Sequence, residues 1–227
     1  MALPHSADLR LLVFDLDGTL IDSRQDLCNS VNATLDHLGK PHLPDAVIAS
    51  YIGDGASMLV RRALGDPEGD IHDEEYLQNA LTFFLDYYRI HKLDFTYAYD
   101  GVLQSLEAIR AAQPHLKMAV LTNKPVNPSR DICRALGLEP FFFQNYGGNS
   151  FHSKKPDPHG LQTLMQEASA SPGQTVMIGD SIVDILTAQN AGAWSLGCTF
   201  GLSSVTLAMD VPSLTCDSPQ DWATLFA

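Results

Sequence analysis

An apolar tetrapeptide, Leu11-Leu12-Val13-Phe14, runs straight into Asp15-Leu16-Asp17-Gly18-Thr19. A short apolar run bounded by turn residues reads as a buried parallel strand. Two carboxylates spaced by two at its end project to the same side if strand geometry persists. Acids crowded in this way are costly unless a metal or a cation compensates them. Gly18 lets the backbone turn sharply and lets a ligand come close. Ligands of open α/β sheets bind at that place, outside the carboxyl ends of the strands.

The pentapeptide Asp15 to Thr19 resembles the opening motif of the haloacid dehalogenase-like superfamily, whose phosphatases begin with Asp-x-Asp-Gly-Thr. Val120-Leu121-Thr122-Asn123 is similar to that superfamily's second motif, an apolar strand ending in Thr or Ser. A hydroxyl and nearby amides there can hydrogen-bond a phosphoryl oxygen. Lys154-Lys155-Pro156-Asp157-Pro158 resembles the third motif, in which a lysine precedes proline; by that match Lys155 is catalytic and Lys154 a solvated neighbour. Gly179-Asp180-Ser181 followed by Asp184 matches the fourth.

The resemblance implies roles. Asp15 attacks phosphorus and becomes a phospho-aspartate. Asp17 protonates the leaving alkoxide and then takes a proton from the hydrolytic water, while its backbone carbonyl helps to hold Mg²⁺. Thr122 and Asn123 face the phosphoryl group, and Lys155 supplies a fixed charge near nucleophile and phosphate. Asp15, Asp17 and Asp180 form the metal set. Asp184, with Ser181 beside it, is either an outer partner to metal-bound water and Lys155 or an acid favoured by a helix N-terminus. An aspartate at position 17 points to phosphate-ester hydrolysis or phosphoryl transfer, since dehalogenating relatives lack it.

Charge makes the metal necessary. Four ionised aspartates stand against Lys155 alone, and a phosphate monoester adds up to about two more negative charges. Repulsion of that kind reaches several kcal/mol in a partly shielded cleft. The ligands are hard oxygens without a histidine or cysteine cluster, which favours Mg²⁺ over zinc or copper.

The whole chain reinforces this. A net charge of −13 argues against a nucleic-acid partner, because phosphate backbones need basic surfaces. An enzyme of anionic substrates with that charge must concentrate positive charge locally. No apolar stretch approaches a membrane span, and Met1-Ala2-Leu3-Pro4-His5-Ser6 lacks the regions of a signal peptide. Cys28, Cys133, Cys198 and Cys216 are scattered without a Cys-x-x-Cys pair, so they read as reduced core thiols of a cytoplasmic protein. The expected partner is a small phosphorylated metabolite, and the expected state a monomer or homodimer.

Elements that could position these residues alternate along the chain, the pattern of a doubly wound parallel α/β sheet. Strands are expected at 11–14, 118–121, 142–145, 176–178, 194–196 and 213–215. Helices are expected at 129–136 before Gly137 and at 182–191 before Gly192. From Asp22 to Asp94 only helical periodicity appears. Ser23 and Asp26 resemble a capping box, with Leu27, Val31, Leu35 and Leu38 as an apolar stripe that Gly39 stops. Leu77, Leu81, Phe84, Leu85 and Tyr88 mark another helix. An all-helical insertion after the first strand resembles the small cap domain of the superfamily. The expected division is a catalytic core of 1–21 and 99–227 and a cap of 22–98.

The cap should read the leaving group. Tyr51-Ile52-Gly53-Asp54-Gly55 and the following Met58 to Leu64 are similar to the cap segment of bacterial phosphoglycolate phosphatases, and Gly147-Gly148 fits that group. Gly53, Asp54 and Gly55 would dip into the site as a loop, or merely separate two helices. Arg61 and Arg62 occupy adjacent helical positions, so at most one faces the cleft. Arg62 is the candidate for a substrate carboxylate. The resemblance thus implies a Mg²⁺-dependent phosphatase, 2-phosphoglycolate first among substrates. A phosphatase of sugar phosphates, nucleotides or pyrophosphate, a mutase, or a silent binding protein on the same fold are the alternatives.

Overall fold

The computed structural model describes residues 8–66, 74–203 and 212–227; residues 1–6, read above for a leader, lie outside them. Strand β1 (Leu11–Phe14) is followed by a two-residue strand β2 (Ile21–Asp22) and by helices α1 (Arg24–His37), α2 (Asp45–Ala49), α3 (Ala56–Ala63) and α4 (Glu74–His91). Strand β3 (Tyr97–Ala98) then returns antiparallel to β2. Beyond it come α5 (Val102–Ala112), β4 (Lys117–Leu121), α6 (Val126–Ala135), β5 (Gln144–Tyr146) and α7 (His159–Ala168). Then follow β6 (Thr175–Gly179), α8 (Ile182–Ala191), β7 (Trp194–Cys198), β8 (Leu214–Cys216) and α9 (Gln220–Phe226).

Six parallel strands form one sheet in the order β5-β4-β1-β6-β7-β8. Helices on both faces bury β1 on both sides, which is why its sequence is a continuous apolar run rather than an alternating one. Leu12 and Phe14 pack with Val120, Ile178 and Trp222, whereas Leu11 and Val13 pack with Leu121, Leu161 and Met177. Each such side chain contributes about 1.5–3 kcal/mol on burial. The chain winds outward from β1 through β4 to β5, then returns to β6 on the other side of β1. That reversal opens a crevice at the carboxyl ends of β1, β4 and β6. Among the described residues, no helix is long and apolar enough to cross a membrane. All four cysteines are buried free thiols.

Helices α1 to α4 build an apolar cluster of their own. Leu27, Val31 and Leu35 of α1 meet Leu59 and Val60 of α3 and Phe84 and Tyr88 of α4. The expected stripe therefore faces other helices of the insertion. The expected capping box does not form. Ser23 Oγ donates to the Asp17 carboxylate, and Asp26 is buried and accepts the amides of Phe95 and Thr96 at 3.0 and 2.8 Å and the Thr96 hydroxyl at 2.7 Å. Distant groups outcompete the local cap because an acid buried at the base of α1 must be paired there. Asp26 thereby fastens the outgoing and returning chains together. Asp26→Ala should lower stability by about 2–3 kcal/mol, since it leaves buried donors unpaired. Chemical denaturation measures this, and an unchanged midpoint would remove Asp26 from that role.

Two other expectations shift. Helix α6 starts at Val126 rather than at 129, because Pro128 falls in its first turn, where a missing N–H costs nothing. Strand β5 is Gln144–Tyr146 rather than 142–145. The apolar pair that suggested the earlier start does not share the strand's role. Phe142 packs against the core, and Phe143 lies exposed, with the Lys117 ammonium 5.3 Å from its ring.

Candidate active site

Pairing of β1 with β6 continues one residue past the strand, with the Asp15 amide donating to the Ile178 carbonyl at 2.8 Å. The chain then turns on Leu16, whose carbonyl accepts the amides of Leu20 and Ile21 at 3.0 and 3.1 Å. Gly18 is left-handed at φ +84°, and a Cβ there would lie 2.1 Å from an Asp180 carboxylate oxygen. Glycine alone meets both demands. Gly179 is needed for space only, since its Cβ would lie 2.2 Å from Asp184 Cγ.

Asp15, Asp180 and Asp184 are buried, and one oxygen from each lies within 4.8 Å of the others. Lys155 Nζ stands 2.8 Å from Asp15 and 2.6 Å from Asp184. The second Asp184 oxygen accepts the Ser181 hydroxyl at 2.6 Å and its amide at 3.1 Å. Asp184 thus joins Lys155 and also closes the first turn of α8, so the two roles weighed from sequence are compatible. Asp180 accepts the Ser203 amide at 2.8 Å.

Burial pushes the Asp15 carboxyl up to about 6; Lys155 opposes the rise, and Asp184 and Asp17 add to it. Asp180 is driven well above the carboxylate range by burial and by Asp184 and Asp15, against the amides of Ser203 and Leu202. For Lys155, burial disfavours the ammonium, but Asp15 and Asp184 outweigh it and hold its pKa above the lysine range. Three buried carboxyl groups share this pocket, and Lys155 contacts two of them, so crowding opposes their ionisation and a bound cation would relieve it. That donor set fits a hard divalent cation.

Asp17 turns toward a different lysine. Lys124 Nζ lies 2.7 and 2.9 Å from its two oxygens, and Ser23 Oγ donates to the same carboxylate. Lys124 is buried, with its ammonium 4.8 Å from the Tyr88 ring. Burial works against this charge too, and Asp17 outweighs it, so the lysine pKa is raised. The count of four acids against one lysine is therefore corrected to two lysines, one beside Asp15 and one beside Asp17. Lys124 was missed in the sequence reading. Its signal is its place, a cation in the turn directly after an apolar strand and two residues past Thr122.

Thr122 is buried, and its hydroxyl accepts the Lys124 amide at 3.2 Å. Asp15, Asp17, Thr122, Asn123 and Lys124 line one cavity together with Gly53 and Gly55 from the helical insertion. The structure thus brings those two glycines to the core residues. Asn123 spends its amide on the carbonyls of Gly53 and Lys155, both at 3.1 Å, which ties the insertion to the core. Asp54 lies outside the lining and binds Arg62 at 2.5 Å. Neither arginine lines the cavity. Arg62 also donates to the Tyr51 carbonyl at 3.2 Å, and Arg61 is held by Asp66 at 2.8 Å and Glu74 at 3.0 Å. Lys154, expected to be solvated, is half-buried and donates to the Asp54 carbonyl, with burial lowering its pKa.

Residues 12–198 match the family model of haloacid dehalogenase-like hydrolases. A phosphoglycolate phosphatase of Psychrobacter arcticus is 41% identical over 198 residues, 86% of this chain and 85% of its own length. One from Neisseria meningitidis is 36% identical over 199 residues, 88% and 84% of the two chains. Among solved structures, a predicted phosphoglycolate phosphatase from Haemophilus somnus aligns with a TM-score of 0.89 at 29% identity, over 97% of this chain and 99% of its own.

Proposed function

The chain belongs to the haloacid dehalogenase-like hydrolases as a phosphoric monoester hydrolase, and we propose that its substrate is 2-phosphoglycolate, released as glycolate and phosphate. The observation that carries the chemistry is the pair of acids at the end of the central strand, each held by its own buried lysine. The names borne by the relatives from Psychrobacter arcticus and Neisseria meningitidis support the choice of substrate.

In this reading Asp15 attacks phosphorus in line, and its new P–O bond forms as the ester P–O bond breaks. Asp17 gives a proton to the departing glycolate oxygen. It then takes a proton from the water that attacks the phospho-aspartate, which restores both acids and frees phosphate. Lys155 offsets charge on Asp15 and on the phosphoryl oxygens, and Asp184 with Ser181 keeps the lysine in place. The Thr122 hydroxyl and nearby amides receive a phosphoryl oxygen. Mg²⁺ is the proposed cation, held by the carboxylates of Asp15 and Asp180 and the carbonyl of Asp17, where it would polarise the phosphoryl group. Residues 22–98 are proposed as a cap that closes over the substrate through Gly53, Asp54 and Gly55, with 1–21 and 99–227 as the catalytic core.

A steady-state screen of phosphorylated metabolites tests this. 2-Phosphoglycolate should show the highest kcat/KM. Activity should vanish in chelator and return with Mg²⁺, whereas Ca²⁺, with its larger and looser shell, should restore little. A higher kcat/KM on a sugar phosphate would refute the substrate, and undiminished turnover in metal-free protein would refute the cation.

A further inference from the structure

We propose that Lys124 is the specificity residue of this site, selecting leaving groups that carry a carboxylate next to the ester oxygen. The inference rests on the phosphatase reading above and names the residue that would read its substrate.

Three observations carry it. The first is how firmly the lysine is placed. Its amide donates to the Thr122 hydroxyl at 3.2 Å, and its carbonyl accepts the Gly148 amide at 2.8 Å. Gly147 and Gly148 permit that closeness, since a Cβ at Gly147 would lie 2.6 Å from the Lys124 carbonyl oxygen. These bonds fix where the side chain starts, and Asp17 at 2.7 and 2.9 Å with the Tyr88 ring at 4.8 Å holds its ammonium, so the charge is placed rather than mobile.

The second is the cavity itself. Among the described residues lining it, Lys124 is the one cation. The insertion contributes Leu27, Ile52, Leu59, Phe84 and Leu85, which can neither pair an anion nor hydrogen-bond the hydroxyls of a sugar, and one side chain that can hydrogen-bond, the phenol of Tyr88, which carries no charge to pair a carboxylate. The other cations nearby lie outside this lining, whereas Lys124 and its partner Asp17 both belong to it. Arg61 and Arg62 bind acids of the insertion, Lys154 binds the Asp54 carbonyl, and Lys155 serves Asp15 and Asp184.

The third is reach. Asp17 must touch the ester oxygen to protonate it, and Lys124 Nζ lies 2.7 Å from Asp17. In 2-phosphoglycolate the carboxylate carbon is two bonds from that oxygen. A group in contact with Asp17 is therefore in range of the carboxylate, and an ammonium–carboxylate contact in a partly desolvated pocket is a strong one.

The experiment compares 2-phosphoglycolate with 2-hydroxyethyl phosphate, in which a neutral hydroxymethyl group replaces the carboxylate. The ratio of their kcat/KM values is measured in the Mg²⁺-supplemented wild type and in Lys124→Gln. The wild type should favour 2-phosphoglycolate, and the variant should lose roughly tenfold or more of that preference. A structural role would lower both substrates together, and an unchanged ratio overturns the inference. A second measurement needs no variant. In calorimetry on the wild type with Mg²⁺, phosphonoacetate should bind more tightly than methylphosphonate, and equal affinities overturn the inference. The substrate reading fails separately. If 2-phosphoglycolate ranks low in the screen but Lys124→Gln still loses preference for another carboxylate-bearing phosphate over its neutral counterpart, the substrate is wrong and the role of Lys124 stands.

Discussion

Asp15→Asn should abolish phosphate release while the protein stays folded. An amide neither attacks phosphorus nor binds a hard cation well, so turnover should fall by roughly 10⁴-fold or more. Stability should hold or rise. The substitution removes one of three buried carboxylates within 4.8 Å of one another, and Lys155 keeps Asp184 as its partner. The prediction is therefore a divergence, with activity lost and the unfolding midpoint kept. Rates near wild type would displace Asp15 as the nucleophile. Inactivity with a collapsed midpoint would show instead that Asp15 holds the fold.

Lys155→Met should harm both properties. Its ammonium is the contact that Asp15 and Asp184 share, and Asp184 is fully buried. Removing one partner of such a group leaves uncompensated buried charge, which costs about 3–5 kcal/mol. Turnover should fall steeply as well, because the phosphoryl group would meet acids without their fixed counter-charge. A divalent cation should raise the unfolding midpoint of this variant more than that of the wild type, since it restores part of the missing positive charge. Chemical denaturation with chelator and with Mg²⁺ reads both effects. Wild-type stability in chelator would mean that the acids are neutral without Lys155, and the charge argument would fail.

Much of this architecture is legible in the chain. A strand buried on both faces must be an unbroken apolar run, and Leu11–Phe14 is one. Helix α8 occupies the span that its pattern and Gly192 delimit. These features are local, because side-chain period and a stop residue act within a few positions. The candidate residues Asp15, Thr122 and Asp180 each stand just beyond a strand end, whereas Lys155, well past β5, and Asp184, in the first turn of α8, are legible only through their resemblance to the superfamily's motifs. Ser23 and Asp26 show where local reasoning gives out. Their spacing suits a cap, yet their oxygens serve Asp17 and the returning chain near Thr96.

By itself, the sequence determined the order of strands and helices along the chain, the helical insertion after β1, and the acids and lysine that meet at the sheet edge. The tertiary structure alone decided which charges pair. Lys124 reaches Asp17 across 107 positions because β4 lies beside β1, and Arg62 is drawn to Asp54 instead of the cavity. The reason is range. Burial and backbone conformation follow from neighbours along the chain, whereas an ion pair depends on a few ångströms between distant segments, and only strand order and packing set that distance.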